Sequence, residues 1–211
     1  IDRRMNLFMA SSGGASSELL QRYFNQAMND PQVNSVLFVV NSPGGTVAGT
    51  QELAEAIYAR RGEKPMVTLA EDLMASAAYW IGSATDKIDI SEETALGGSI
   101  GVVASHVDVS KAEESRGYKT TEITAGRYKR ISNQFKTPSE EGRTDIQEKV
   151  DSLYTVFVDA VAKYRDVAVE EVLQNMADGR IFVGRQAITA GLVDGVDTFD
   201  QLLADMRNPR K

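Results

Sequence analysis

Two turns in the chain carry residues that could act together on a carbonyl group. The first is Val40-Asn41-Ser42-Pro43-Gly44-Gly45, which closes the apolar run that begins at Val36. Paired glycines after a strand let backbone N–H groups approach another group with no side chain between them. At a helix N-terminus those donors favour a negative partner. The second turn is Leu73-Met74-Ala75-Ser76-Ala77-Ala78-Tyr79-Trp80, with Ser76 at the start of a helix among alanines. Each turn alone also has a plain structural account, since Pro-Gly-Gly is ordinary turn chemistry and serine is a common N-cap. Together, about thirty residues apart in adjacent β–α units, they emerge on the same edge of a parallel sheet. Ser76 could then attack a carbonyl carbon. The oxyanion would be held by N–H groups of Gly44 or Gly45 and of Ala77, each such donor being worth ~3 kcal/mol of barrier.

A serine hydroxyl needs a base. Two residues are candidates. His106, the single histidine, follows Ile100-Gly101-Val102-Val103 and would complete a Ser-His pair. Lys129 lies in Ala125-Gly126-Arg127-Tyr128-Lys129. A lysine acts as a base near neutrality only if its pKa falls from ~10.4 to about 7–8. Burial beside apolar groups would push that way, and so would the like charges of Arg127 and Arg130. In isolation, a lysine in such a cluster also reads as an ordinary surface residue.

Alternating helix and strand signals must position these residues. Strands are expected at Met5–Ala10, Val36–Asn41, Pro65–Ala70, Lys87–Ile90, Ser99–Ser105, Lys119–Thr124 and Leu192–Val193. The unbroken apolar run of the second marks it as fully buried. Helices are expected from Ser17, as cap, through Met28, and over Val47–Arg60, Ala75–Ala84, Ser110–Arg116 and Pro138–Asp166. Shorter ones are expected at Val169–Met176, Arg185–Ala190 and Phe199–Met206. The long helix carries an apolar stripe of Ile146, Val150, Leu153, Phe157, Ala160, Val161 and Tyr164, and residues 130–137 read as an exposed loop. Repeated β–turn–α units imply an α/β domain with a largely parallel sheet. With no linker or repeat to divide it, residues 1–211 read as one domain. The opening Ile-Asp-Arg-Arg suggests that it is excised from a longer chain.

Composition removes several alternatives. At 42% apolar and 7% aromatic residues the chain is a globular protein. A net charge of −7 argues against nucleic acid or an anionic membrane as a partner. The absence of cysteine excludes disulfides, a thiol nucleophile and thiolate-bound metals, and a single histidine argues against a histidine metal site. No cofactor or metal is therefore expected. The longest apolar runs fall far short of the ~20 residues of a membrane-spanning helix.

Four motifs, in order, resemble the signal peptide peptidase A family of serine proteases (family S49). They are Asn41-Ser42-Pro43-Gly44-Gly45, Met74-Ala75-Ser76-Ala77-Ala78-Tyr79-Trp80, Gly97-Gly98-Ser99-Ile100-Gly101-Val102 and Gly126-Arg127-Tyr128-Lys129. The similarity covers about residues 5–195 and includes Phe182-Val183-Gly184-Arg185-Gln186-Ala187 and Gly191-Leu192-Val193-Asp194. It implies a ClpP/crotonase-like spiral of ββα units and a Ser-Lys dyad of Ser76 and Lys129. It also implies that Ser99 orients the lysine amine. Where the family has glycines after the nucleophile, this chain has Ala77 and Ala78, a change that would narrow the cleft. The Thr46-Val47-Ala48-Gly49 continuation, and His106 soon after Gly98-Ser99-Ile100-Gly101-Val102, resemble the phage capsid-protease branch more closely.

The resemblance implies a peptide or protein substrate bound extended, and a homo-oligomer. It places the chain in the cytoplasm or an assembling prohead. The alternative is a membrane-associated signal peptide peptidase, anchored by a segment outside this sequence, with an extracytoplasmic catalytic domain. A Ser76–His106 peptidase, a crotonase-type acyl-CoA enzyme and a non-enzymatic assembly module are the remaining readings.

Overall fold

The computed structural model describes residues 1–4, 11 and 13–207. The strand expected at Met5–Ala10 lies outside the described residues. Two compact units make up the chain, Ile1–Gly101 with Val156–Lys211, and Val102–Thr155.

In the first unit, helix α1 (Ser17–Asn29) begins one residue after its cap. The cap is Ser16 rather than Ser17: it has extended backbone, and its Oγ accepts the Leu19 N–H at 3.2 Å. Phe24 and Met28, four apart, bury the inner face of α1. Strand β1 (Val36–Ser42) leads to α2 (Thr50–Tyr58), β2 (Met66–Ala75) and α3 (Ala77–Gly82). Strands β3 (Lys87–Ile90) and β4 (Leu96–Gly98) follow. Among the described residues the sheet has six strands, and four of its five pairings are parallel. The expectation of an α/β fold with a largely parallel sheet is met.

β2 organises this sheet. One side of it pairs with β1, the first half of the other side with β3, and its last three residues with β4. It runs five residues beyond the expected strand, because the register slips between Val40 and Ser42 and lets Glu71–Leu73 bulge. Asn41 Nδ2 bridges the slip by donating to Asp72 Oδ2 at 2.6 Å. Among the described residues β1 pairs with β2 alone, and it is not fully buried, since Val39 is 43% exposed. Apolarity alone cannot tell these two cases apart.

In the second unit, α4 (Ser110–Ser115) precedes helix α5 (Glu140–Arg165), which begins here and ends in the first unit. Residues 99–105 and 119–124, expected as strands, form no ladder. Their β-branched residues favour extended backbone, but a strand needs a neighbour to exist. Asp108 ties the unit's loops together. Its carboxylate accepts the Ser110 Oγ–H (2.6 Å), the Ser110 N–H (2.9 Å) and the Thr137 hydroxyl (2.7 Å). Those bonds, led by the Ser110 hydroxyl, lower its pKa to about 2.

Back in the first unit, the α5 stripe is core only toward its C-terminal end. Phe157, Val161 and Tyr164 are buried, whereas Leu153 is 38% exposed. Beyond α5 come a short α6 (Val169–Glu171), a π-helical turn (Val172–Met176) and strand β5 (Ile181–Val183). Then follow α7 (Arg185–Thr189), β6 (Gly195–Val196) and α8 (Phe199–Arg207). β5 pairs antiparallel with β4, and the last strand lies three residues beyond the Leu192–Val193 expected from sequence. Leu202 of α8 closes one face of the sheet over Val67 and Leu69.

Candidate active site

Ser76 sits at the junction of β2 and α3 with φ 53° and ψ −125°. A serine in this region costs on the order of 1–3 kcal/mol and persists only where its surroundings enforce it. The enforcement is visible. Its N–H donates to the Gly98 carbonyl, and its carbonyl accepts the Trp80 N–H, both at 2.9 Å. All six residues of α3 are buried. Tyr79 anchors the helix by donating its hydroxyl to the Leu192 carbonyl at 2.9 Å, and burial raises the phenol's pKa. Trp80 stacks on Phe157 with ring centroids 4.5 Å apart, a pairing worth about 0.5–1.5 kcal/mol beyond the area it buries. The Ser76 side chain makes no capping hydrogen bond. Capping therefore does not account for the residue, and the strained turn does.

The glycine turn meets this junction directly. A Cβ on Gly44 (φ +114°) would lie 2.7 Å from Ser76 Cβ, 2.9 Å from the Ala75 carbonyl oxygen and 3.1 Å from the Ala77 nitrogen. Only a residue without a side chain allows that approach. Gly45 faces elsewhere: a Cβ there would collide with the Ile1 carbonyl oxygen at 1.8 Å. The Gly44 N–H leans on Ser42 Oγ at 3.2 Å, and its carbonyl accepts from the Ile1 nitrogen at 2.7 Å. As the first residue of α3, Ala77 has an N–H with no intrahelical acceptor. A serine hydroxyl and backbone donors so arranged have the parts needed for acyl transfer.

Ser99 also has positive φ, 54°, and donates its N–H to the Arg180 carbonyl at 2.6 Å. Before it stands Gly98, where a Cβ would meet that same carbonyl at 2.9 Å. The role of Gly98 in holding Ser76 is absent from the sequence reading, although the pair Gly97-Gly98 is the available signal. Beside the junction lies an apolar pocket of about 420 Å³, lined in part by Phe38, Val40, Leu53, Ala78 and Ile81.

The first unit thus brings Ser76, Gly44 and Ala77 together, with Ser99 one residue beyond the Gly98 that holds Ser76. Lys129 belongs to the second unit. It is exposed, in a turn closed by its N–H on the Gly126 carbonyl at 3.0 Å. The charges of the neighbouring arginines are offset locally, Arg127 by Glu141 (2.5 Å) and Arg130 by Glu122 (2.6 Å). The apolar burial and uncompensated cations expected around Lys129 are therefore not features of this turn. His106, also in the second unit, holds its Nε2 at 2.8 Å from the Asn133 carbonyl. A carbonyl only accepts, so Nε2 carries the proton in this contact, and a neutral ring has its free lone pair at Nδ1.

The model of peptidase family S49 matches residues 58–211. The chain is 37% identical over 169 residues to the head-tail preconnector protein GP5 of Enterobacteria phage P21, covering 80% of this chain and 33% of that protein. It is 35% identical over 207 residues to an Enterococcus faecium protein named for signal peptide peptidase SppA (98% and 59%). It is 32% identical over 183 residues to capsid assembly protease C of Escherichia phage lambda (87% and 41%). The chain thus spans between about a third and three fifths of these relatives. With the family motifs in order on a mostly parallel α/β sheet of the ClpP/crotonase kind, the chain belongs to peptidase family S49.

Proposed function

We propose that the chain is a serine endopeptidase that uses Ser76 as nucleophile and Lys129 as general base. The observation that carries this reading is the Ser76 turn: strained backbone, no capping role, and Gly44 pressed against it. Neutral Lys129 removes the Ser76 proton while Oγ attacks the peptide carbonyl. The oxyanion is held by the Ala77 N–H with a donor from the Gly44-Gly45 turn. Lys129 then protonates the leaving amine as the C–N bond breaks, which leaves an acyl ester on Ser76. Water, deprotonated by Lys129, hydrolyses that ester. Ser99 orients the amine. The substrate binds extended, and the apolar pocket lined by Phe38, Leu53 and Ala78 favours aliphatic side chains.

The natural substrate proposed is a scaffold or capsid protein, cleaved by a homo-oligomer in an assembling phage head. Similarity to the phage P21 and lambda proteins supports this. A membrane-associated signal peptide peptidase is the second reading, favoured by the match over 98% of the chain to the Enterococcus faecium protein. Among the described residues no helix is long and apolar enough to cross a membrane. That reading therefore needs an anchor elsewhere.

The decisive experiment is mass spectrometry of the protein after a serine-directed acylating reagent, for wild type and Lys129→Ala. Labelling at Ser76 that disappears with the lysine supports the dyad. Labelling that survives Lys129→Ala but is lost in His106→Ala would replace it with a Ser-His pair. Tight coenzyme A binding without any labelling would favour the crotonase-type chemistry.

A further inference from the structure

We propose that the outer edge of β5 is a second peptide-binding site, which takes an extended acidic segment by strand addition. The proposal does not rest on the Ser76–Lys129 reading, because it concerns binding only.

β5 is the end strand of the sheet among the described residues. Its hydrogen bonds to β4 show which groups are used. Arg180 accepts from Ser99, and Gly184 donates to the Ala95 carbonyl at 2.9 Å. In an antiparallel pair these alternate, so the backbone groups of Ile181 and Val183 face away from β4. Among the described residues, one long contact from the Val183 N–H to Gln186 Oε1, at 3.4 Å, touches that edge from a side chain.

Edge strands are usually blunted by a charge, a proline, a bulge or a covering element. The Ile-Phe-Val of β5 carries no charge and no proline, and Ile181 and Val183 are 49% and 43% exposed. The chemistry around the edge selects an occupant. A groove of about 490 Å³ runs beside it, lined by Arg180, Phe182, Arg185, Gln186 and neighbouring polar residues, with no carboxylate in the lining. Arg180 lies with Cζ 5.5 Å from the Phe182 ring, which places a planar donor over an aromatic floor. Arg185 is offset by Glu93 at 2.6 Å, so the unbalanced positive charge in the lining is that of Arg180. In a chain of net charge −7, a groove that presents Arg180 and no carboxylate complements an acidic side chain. Alternate aliphatic and acidic side chains on an added strand would meet Ile181 and Val183 on one face and Arg180 on the other.

The site is separate from the Ser76 cleft, since β4 lies between β5 and β2. Two strands, β5 and β4, separate an occupant from the β2 strand that leads to the serine.

The test is fluorescence anisotropy with a labelled Glu-Val-Glu-Val-Glu-Val peptide on the Ser76→Ala protein, which leaves the probe uncut. Saturable binding is expected, with no binding of the Lys-Val counterpart or of a peptide N-methylated at alternate amides. Arg180→Glu should weaken the acidic probe by about tenfold or more. Ile181→Pro removes one outward N–H while sparing the β4 ladder, and should weaken it similarly. The N-methylated peptide keeps the question decidable if that variant does not fold. Equal binding of acidic and basic peptides, or indifference to N-methylation, overturns the proposal. So does displacement of the probe from wild-type protein by a reagent that acylates Ser76. Self-association lost in Arg180→Glu, with no peptide bound, would assign the edge to a second copy of the chain and overturn it as well.

Discussion

The backbone N–H of Ser76 is held by the carbonyl of Gly98 at 2.9 Å, so the geometry of the serine turn is set by the last residue of a neighbouring strand. Gly98 has φ +116°, and a Cβ there would meet the Arg180 carbonyl oxygen at 2.9 Å. Gly98→Ala should therefore cost on the order of 1–3 kcal/mol in chemical denaturation. It should also slow Ser76 acylation more than the loss of stability explains. An alanine variant as stable and reactive as wild type would show that Gly98 is not the restraint.

The strain at Ser76 makes a second prediction with opposite signs in two assays. Glycine tolerates φ 53° without cost, whereas alanine keeps the Cβ that makes the conformation unfavourable. Ser76→Gly should be more stable than Ser76→Ala by about 1 kcal/mol, despite the entropy that glycine adds to the unfolded chain. Neither variant should take up the acylating reagent. Equal melting temperatures for the two would indicate that the turn relaxes.

Arg165 and Asp194 form a two-pronged pair at 2.6 and 3.1 Å, and Asp194 also accepts the Ile88 N–H at 2.7 Å. Burial opposes the charge on Asp194. The Arg165 hydrogen bond and the Ile88 N–H outweigh it, and the carboxyl pKa is lowered. Asp194→Asn leaves Arg165, whose side chain is 11% exposed, without its counterion. The expected cost is about 2 kcal/mol, or a melting temperature lower by roughly 4–8 °C. Because the folded pKa is depressed, the pair's contribution is present above the ordinary carboxylate range and lost as pH falls through the folded value. The gap between wild type and variant should close in acid.

The sequence discloses parts of this arrangement unevenly, for physical reasons. Helix α5 and the meeting of two β–α turns are legible because each rests on local pattern, a helical stripe or a turn dipeptide. Gly44 stands out as special, but its contact with Ser76 depends on a bulge in β2 that no local signal marks. β5 escapes a sequence reading because three residues between a π-helical turn and a glycine carry too little periodicity. The unpaired segments 99–105 and 119–124 read as strands because β-branched residues report extended backbone, not a partner. Lys129 rests on resemblance alone, because a lysine in an exposed turn between two ion-paired arginines has no local pattern that marks it.

Asp89 gives a test of electrostatics away from the serine. It lies on β3 in register with Leu69 and is fully buried. Lys87 Nζ is 2.6 Å from its Oδ2, and Asp194 and Asp197 face it from the segment around β6. Desolvation dominates and raises its pKa, while Lys87 pulls the other way and the two aspartates add to the rise. With the folded pKa above the unfolded one, the folded state takes up a proton first. Asp89 thus stabilises the fold fully only below the unfolded pKa of about 3.9, and that contribution is lost as pH rises through the folded value. An asparagine side chain in its place would mimic the neutral carboxyl at every pH. Asp89→Asn should therefore gain on wild type near neutrality, and the advantage should shrink toward pH ~4 in denaturation curves taken across that range. A variant less stable than wild type at neutral pH would mean that the Lys87 contact outweighs the burial of the charge.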